Sequence, residues 1–296
     1  MMKKFDCVKS FTAALVAALV LIVAGAFVLG FVGFNKDVKY TDHYEVKITA
    51  EENFGDNNKT MKDTAEAVFK EDGLRYVYRE ELDSGRTVLY LFRNDVPEES
   101  IADLQGRLDT AFANSTVDVT AEKYAAAGYG TLTEMWWALL AAGILLVAGF
   151  LYAAIRYKWA AAFAFLITSA IGAALTVALT ALTRAVVTPA FLSVTAGAFV
   201  LTMAFALYFA NVVAEDKKSV ASDGLPVKEL VSGAFREVFF KTLVPVLCAL
   251  VLVAAMAALA PVGIKFAAIQ ILIGVVCAAC SALFLFGGLR ALLAKK

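Results

Sequence analysis

Long uncharged stretches divide the chain into a regular pattern. No Asp, Glu, Lys or Arg lies between Lys9 and Lys36, and five further gaps of at least 21 residues follow between Glu134 and Arg290. About 20 apolar residues cross a hydrocarbon core that is ~30 Å thick, and a helix satisfies its own backbone there. The pattern predicts six transmembrane helices, roughly over residues 11–33, 135–155, 160–183, 189–211, 242–263 and 266–288.

The first of these spans is expected to be an uncleaved anchor. Ala24-Gly25-Ala26 resembles a small-residue cleavage site of a signal peptide, which is the alternative. The apolar run continues past that site to Phe34, however, and is therefore too long for the core of a signal peptide.

Residues 35–134, between the first two spans, have the pattern of a small α+β domain. Tyr44, Val46 and Ile48 alternate with polar residues, as in a half-buried strand. Further signals predict a helix over 61–72, strands over 75–80 and 87–93 around a turn at 83–85, a helix from Pro97, and a strand near Val117. This β-α-β-β-α-β order indicates a ferredoxin-like arrangement.

Basic residues in the short connections set the expected topology. Thirteen lie on one side of the predicted spans, whereas Arg184 and Lys265 alone lie in the opposite short connections. The positive-inside rule places both termini in the cytoplasm and residues 35–134 outside. The expected organisation is an N-terminal segment with the first span (1–34), an extracytoplasmic domain (35–134), and a five-helix bundle (135–296) with a cytoplasmic loop at about 215–241.

Composition and charge narrow the function classes. The chain is 60% hydrophobic and 18% charged, which excludes a soluble globular enzyme as the default interpretation. Residues 35–134 hold 12 basic and 21 acidic residues, whereas the rest of the chain holds 15 and 6. Because phosphate repels an acidic surface, nucleic acid is not expected as a partner of the external domain.

Several short segments resemble those of one family. Leu151–Trp159 resembles a Tyr-x-x-x-Arg-Phe segment, Lys241-Thr242-Leu243 an Arg-Thr-Leu, and the segment from Gly274 to Ser281 a Gly-x-x-x-Gly-x-x-Ser pattern. The matching positions are Gly33, Tyr152, Arg156, Asn211, Glu215, Lys241, Thr242, Gly274 and Ser281. These segments, in this order and with one anchor, one external domain and five clustered spans, resemble SecF, a relative of the RND superfamily of transporters.

The resemblance implies an accessory role in protein transport. A SecF-type chain would sit in the bacterial cytoplasmic membrane with a SecD-like partner beside a SecYEG-type translocation channel. It would assist the export of polypeptides without covalent chemistry, and neither an enzyme activity nor a cofactor is implied.

The chain departs from the family pattern in the third span. The resemblance implies a His-Asp pair about sixteen residues after Arg156, but Ile171-Gly172 stands there. A proton carrier needs an ionisable group at membrane depth, and none of the six predicted spans contains one. We therefore expect a divergent member that acts mainly by its structure, or one whose proton path lies in its partner.

Small and hydroxyl residues form a candidate site on one face of the third span. We call this set the hydroxyl seam: Ser169, Gly172, Thr176, Thr180 and Thr183. It either lines a water or proton route or allows close helix packing. The segment 227–241 mixes apolar and charged residues at helical spacing, which predicts an amphipathic helix on the inner membrane surface or on a partner.

No motif indicates catalysis or metal binding. Cys277 and Cys280 have metal-site spacing but lie in an Ala-rich membrane span, and His43 is the only histidine. No catalytic or metal residue is therefore expected. Two other functions stay open at this point: a membrane-anchored sensor or scaffold with an extracytoplasmic ligand site, and a half-size RND-like transporter of small molecules.

Overall fold

A computed structural model gives the fold of the chain. It describes residues 7–51, 57–82, 85–112, 116–126, 130–188, 190–218, 225–259 and 262–294. The chain forms two compact units. One, which we call the membrane unit, comprises Met1–Asn35 and Leu132–Lys296. The other, which we call the external unit after the location that the sequence predicts for it, comprises Lys36–Thr131.

Helix α1 (Cys7–Phe31) precedes the external unit along the chain. The external unit then runs strand, helix, strand, strand, helix, strand. Its elements are β1 (His43–Ala50), α2 (Asn57–Glu71), β2 (Tyr76–Leu82), β3 (Thr87–Phe92), α3 (Glu98–Ala111) and β4 (Val117–Tyr124). Gly73, which follows α2, has φ of +70°, and Pro97 immediately precedes α3. The predicted turn at 83–85 falls partly outside the described residues, which resume at Gly85.

The four strands form one antiparallel sheet in the order β2-β3-β1-β4. On β1, Val46 and Ile48 are buried together with residues of both helices, among them Phe69 and Leu104. The intervening residues, such as Lys47, lie with polar residues of β4 on the other face. The alternation of apolar and polar residues in the sequence thus corresponds to one face covered by helices and one polar face.

Ion pairs join the helices of the external unit to each other and to the sheet. The Arg107 guanidinium donates to the Glu71 carboxylate at 2.7 Å, linking α3 to α2, and this hydrogen bond lowers the pKa of Glu71. Glu66 of α2 accepts hydrogen bonds from Arg79 and from the Tyr76 hydroxyl on β2. Burial, followed by the charge of Glu66, raises the pKa of Tyr76, so this hydroxyl remains a donor at neutral pH.

The membrane unit contains six candidate membrane-spanning helices among the described residues. They are formed by α1, α4 (Gly130–Tyr157), α5 (Trp159–Leu182), α6 (Phe191–Lys218), α7 (Val227–Leu259), and α8 (Val262–Ser281), which continues through a π-helical segment (Ala282–Phe286) into α9 (Gly287–Leu293). All six are long and apolar enough to cross a bilayer, as the charge gaps predict.

The spans differ in how far the bundle covers them. In the most apolar 18-residue stretch of α5, half of the residues are buried within the bundle. In the corresponding stretches of α1 and α4, only 11% are buried. Helix α5 packs against α1, α6 and α8, so it lies at the centre of the bundle. The outward apolar faces of α1 and α4 are those that a lipid-facing helix presents.

Helix α7 differs from the sequence-based expectation. The segment 227–241 is not a separate surface helix but the first half of one 33-residue helix, and Pro245 lies inside that helix. Leu230, Val231 and Val238 are buried in the core of the bundle. The apolar stripe that resembles a membrane-surface helix therefore packs against this chain's own helices. The predicted loop at 215–241 is correspondingly reduced, because α6 extends to Lys218.

A single residue connects α4 to α5. Lys158 has φ of 72° and ψ of 164°, a backbone conformation that is almost confined to glycine. Such a residue costs of order 1–3 kcal/mol and persists where the surrounding structure imposes it.

Replacing Lys158 by glycine should therefore stabilise the chain relative to replacing it by alanine. Both variants remove the charge, but Lys158→Gly also relieves the backbone, so we expect it to be about 1 kcal/mol more stable than Lys158→Ala. Thermal denaturation of the two purified variants in one detergent provides the measurement. Equal midpoints would show that the connection is unstrained.

Candidate functional site in the membrane bundle

The hydroxyl seam lies on the central helix α5. Ser169, Thr176 and Thr180 are buried, whereas Thr183 is exposed at the end of the helix. Each hydroxyl donates to the backbone carbonyl four residues earlier, at distances of 2.7–2.9 Å. These hydrogen bonds satisfy the donors within the helix itself, so the buried seam residues add no charge and little free polarity to the bundle interior.

Gly172 of the seam marks a close approach of two helices. A Cβ atom at this position would lie 2.6 Å from Oγ1 and 3.1 Å from Cγ2 of Thr202 on α6. Thr202 is fully buried and donates its hydroxyl to the carbonyl of Ala198. The absence of a side chain at residue 172 therefore allows α5 and α6 to pack directly.

Gly172→Ala should destabilise the bundle. The added methyl group must displace Thr202, and overpacking of this kind costs about 1–3 kcal/mol. The matched control is Gly197→Ala on α6, where a Cβ would meet nothing within 4 Å. We expect a lower thermal denaturation midpoint in detergent for the first variant and an unchanged one for the second. Equal midpoints would indicate that residue 172 faces open space, as an aqueous route requires.

The last span meets the seam at Gly274. A Cβ atom there would lie 3.1 Å from the Ala198 side chain and 3.8 Å from Cγ2 of Thr176. This motif residue therefore lies where α8 packs against both α5 and α6. Thr242 and Ser281, two other motif residues, are buried, and among the described residues their hydroxyls have no hydrogen-bond partner, as is also true of Thr168.

The segments that follow α1 and α5 are joined by a clasp, which we define as Gly33, Asn35, Arg184 and Val187. The Val187 amide donates to the Asn35 carbonyl at 2.7 Å, and the Asn35 side chain donates to the Arg184 carbonyl at 2.9 Å. The Arg184 guanidinium in turn donates to the Gly33 carbonyl at 2.5 Å. Three hydrogen bonds thus tie the end of the first span to the end of the third.

The side chain of Gln270 on α8 is hydrogen-bonded to the segment that follows α5. It is fully buried, and its amide donates to the Val186 carbonyl at 2.6 Å while its oxygen accepts from the Thr188 hydroxyl at 3.2 Å. In the sequence, Arg184 is recognisable only as a charge in a short connection, whereas in the structure it is part of the polar connection between spans.

A polar chain lies where α4 and α6 meet. The Tyr157 hydroxyl donates to Asn211 at 3.1 Å, and the Asn211 amide donates to the Glu215 carboxylate at 2.8 Å. The Arg156 guanidinium lies 5.8 Å from the ring centroid of Tyr152 and 5.7 Å from that of Tyr157. Four motif residues, Tyr152, Arg156, Asn211 and Glu215, are therefore linked directly or through Tyr157.

Arg290 is an ionisable residue inside the last span, contrary to the expectation that no span contains one. The last span continues through α9 to Leu293 instead of ending near residue 288, and Arg290 within it is only 9% exposed. One N–H donates to the Ala210 carbonyl at 3.3 Å. Glycine allows α9 to pack closely against α7 here, because a Cβ atom at Gly287 would lie 2.8 Å from the Val231 side chain. In the sequence, the Gly287-Gly288 pair just before Arg290 is the feature that indicates close helix packing around this arginine.

The described residues include no group of three or more His, Cys, Asp and Glu side chains that could hold a metal ion. The polar groups that the described residues bring together in the bundle are hydroxyls, amides, cations and the carboxylates of Glu215 and Glu237. They can order helices and bind anions, and none of these contacts among the described residues pairs a nucleophile with a base.

Comparison with protein families decides the identity at the family level. Residues 110–296 match the family model described as protein export membrane protein SecD/SecF, C-terminal, which is more than half of the chain. The chain belongs to the SecD/SecF family. A search of curated proteins finds no match.

Solved structures of SecDF have a similar fold. A crystal structure of SecDF in the super-membrane-facing form matches with a TM-score of 0.68 and 18% identity, covering 99% of this chain and 39% of that one. SecDF from Thermus thermophilus, described as a translocon-associated membrane protein, matches with a TM-score of 0.64 and 18% identity, covering 100% and 39%. This SecD/SecF-family chain thus spans about two fifths of the length of those chains.

In this SecD/SecF-family chain, the motif positions occupy separate parts of the bundle. Gly33 belongs to the clasp, Gly274 to the central packing site, and Lys241 to an ion pair with Glu237 on α7 at 2.5 Å. Sequence patterns indicate such positions one at a time. Their partners Ala198, Arg184 and Tyr157 emerge only from the packing of distant helices.

Proposed function

We propose that this chain is the SecF-type member of the family and acts as an accessory subunit of the protein translocase. It would work beside a SecD-type partner and a SecYEG-type channel and assist polypeptides as they leave that channel. The observation that carries the proposal is the order along the chain: one candidate membrane-spanning helix, a small α+β unit and five further candidate helices, with residues 110–296 matching the family model. Matching 39% of a SecDF chain also suits one component of a two-part assembly.

The proposed orientation follows the basic residues. Both termini and the connection between α6 and α7 would face the cytoplasm of a bacterial cell, with the external unit on the far side of the cytoplasmic membrane. The strand order β2-β3-β1-β4 and two helices on one face support a ferredoxin-like class for that unit.

The external unit would contact the emerging polypeptide through the edge of its sheet. Among the described strands, β4 pairs with β1 alone, so its other edge would accept an extended chain by backbone hydrogen bonds. Such recognition does not depend on side-chain sequence, which suits a subunit that serves many exported proteins.

The bundle would contribute rigidity instead of a proton carrier. No ionisable residue lies between Lys158 and Arg184, and the seam hydroxyls are hydrogen-bonded within α5. Any coupling to the proton motive force would then use groups of the SecD-type partner. This chain would hold its spans in a fixed arrangement against that partner.

Site-specific photo-crosslinking in cells tests the export role. A photoreactive residue replaces Thr120 on β4, and the matched control replaces Thr110, which is also exposed but lies on α3. We expect crosslinks from position 120 to secretory precursors, and few from position 110. Deletion of the gene should also cause precursors to accumulate, and a tagged chain should copurify with the SecD-type protein and the channel. Normal secretion, together with a tagged chain that has neither partner, would contradict the proposal.

A further inference from the structure

A cavity of about 690 Å³ opens at one end of the membrane unit. Four cations are among the described residues that line it: Arg156, Lys158, Lys217 and Arg290. They come from the last turn of α4, from its connection to α5, from the end of α6 and from α9. No carboxylate belongs to this described lining. The cavity is therefore a concentration of positive charge contributed by four different parts of the bundle.

Arg290 distinguishes this cavity from ordinary basic residues at a membrane boundary. Basic residues that only set topology remain in water, whereas Arg290 is 9% exposed. A guanidinium carries five N–H donors, and the hydrogen bond that Arg290 makes within the described residues is long, 3.3 Å, and ends on the neutral Ala210 carbonyl. No carboxylate among the described lining residues balances its charge. Because burial of an unbalanced cation is costly, the site is electrostatically suited to an anion.

The rest of the lining indicates what kind of anion fits. Trp159, Val213, Leu230 and Leu293 give the cavity an apolar side next to the cations. Trp159 is 62% exposed, at the end of a membrane span, where indole rings prefer the headgroup region. A ligand that combines a phosphate with hydrocarbon would contact both sides of the cavity.

We propose that this cavity binds the phosphate of an anionic membrane lipid. The Arg290 guanidinium offers a planar fork that matches two phosphate oxygens, and Lys158 and Lys217 add charge without fixed geometry. The cavity lies at the ends of spans, where the headgroups of a bilayer are, and basic pockets between spans are suited to such headgroups. The proposal goes beyond the export role and does not depend on it.

The test uses the purified full-length chain in detergent. Dioleoylphosphatidylglycerol is the probe, dioleoylphosphatidylcholine has the same acyl chains without the net charge, and inorganic phosphate supplies the anion without a lipid. Native mass spectrometry measures bound lipid, and thermal denaturation measures the accompanying stabilisation. We expect phosphatidylglycerol to be retained and to raise the denaturation midpoint, and the other two to have much smaller effects.

Two single-charge variants locate the binding site. Lys217→Gln removes one cation of the cavity, and we expect about fivefold weaker phosphatidylglycerol binding, as for the loss of ~1 kcal/mol. Lys265→Gln is the matched control, because Lys265 lies at the opposite end of the same span as Arg290, and its affinity should equal that of the parent chain. Arg290→Lys keeps the charge but loses the fork, and about tenfold weaker binding is expected.

Specific outcomes of these experiments would contradict the proposed lipid site. Equal retention of phosphatidylcholine and phosphatidylglycerol, or equal affinities of Lys217→Gln and Lys265→Gln, would overturn the proposed site. Stabilisation by inorganic phosphate to the same degree as by phosphatidylglycerol would overturn the assignment to a lipid and leave a site for free phosphate. Lys217 is exposed, so this variant is expected to fold whether or not Arg290→Lys does.

Discussion

Gly25→Val will separate the first span from the rest of the bundle. A Cβ atom at Gly25 would lie 2.5 Å from Cβ and 2.6 Å from Cα of Ala178 on α5. Because a backbone atom is among the colliding neighbours, no change of side-chain rotamer relieves the contact, and α1 must move away from α5. We expect a loss of about 3 kcal/mol or more, since small residues at helix contacts permit this packing. Thermal denaturation in detergent measures it.

Gly30→Val is the matched control for this experiment. Gly30 lies on the same helix, and a Cβ there would meet nothing within 4 Å. Both variants add the same side chain to α1, so they change its hydrophobicity and helix propensity equally. A denaturation midpoint that falls only in Gly25→Val supports the contact. Equal effects would indicate that α1 is not packed through this position.

Phe69→Ala is expected to have the largest effect in the external unit. Phe69 of α2 is 1% exposed, and its ring lies edge-on to Tyr90 at 5.1 Å and to Phe92 at 4.9 Å between centroids. Removal of a buried aromatic ring of this kind costs about 3–5 kcal/mol. That amount is comparable with the whole stability of a small domain, so the unit should unfold at much lower urea concentration.

Limited proteolysis of the intact, detergent-solubilised chain measures this change, because cleavage within the external unit reports its unfolding. Val77→Ala on β2 is the control, since Val77 is 45% exposed. We expect the control to resist protease as the parent chain does, and Phe69→Ala to be cleaved rapidly. If both variants resist equally, α2 does not supply the core as described.

Local patterns predict the elements of this fold well. Charge-free stretches identify the six spans because hydrocarbon excludes charges and requires helices. Alternation on β1 identifies a strand because one face of the sheet is polar and the other lies under helices. Ser169, Thr176 and Thr180 of the seam are buried and Thr183 is exposed, but the spacing of these residues in the sequence does not reveal whether such a face is wet or packed.

The errors share one physical cause. The segment 227–241 is amphipathic whether its apolar stripe meets lipid or other helices, so only the packed structure identifies Val231 and Val238 as core. Arg290 follows an apolar run and resembles a boundary charge, while its burial depends on Gly287 and on the distant residue Val231. Likewise, Gly25 and Gly30 are equivalent in the sequence, although Gly25 packs against α5 and a Cβ at Gly30 would meet no described atom within 4 Å.

The single-residue connection at Lys158 has a consequence for motion in the bundle. The one-residue connection fixes the adjoining ends of α4 and α5 close to each other. The rest of α4 makes few contacts with other helices of this chain and is mostly exposed. Any displacement of α4 would therefore be a tilt about this end, greatest at the end near residue 130. A neighbouring subunit that pressed on α4 would tilt this helix about Lys158 while the central helix α5 stayed in place.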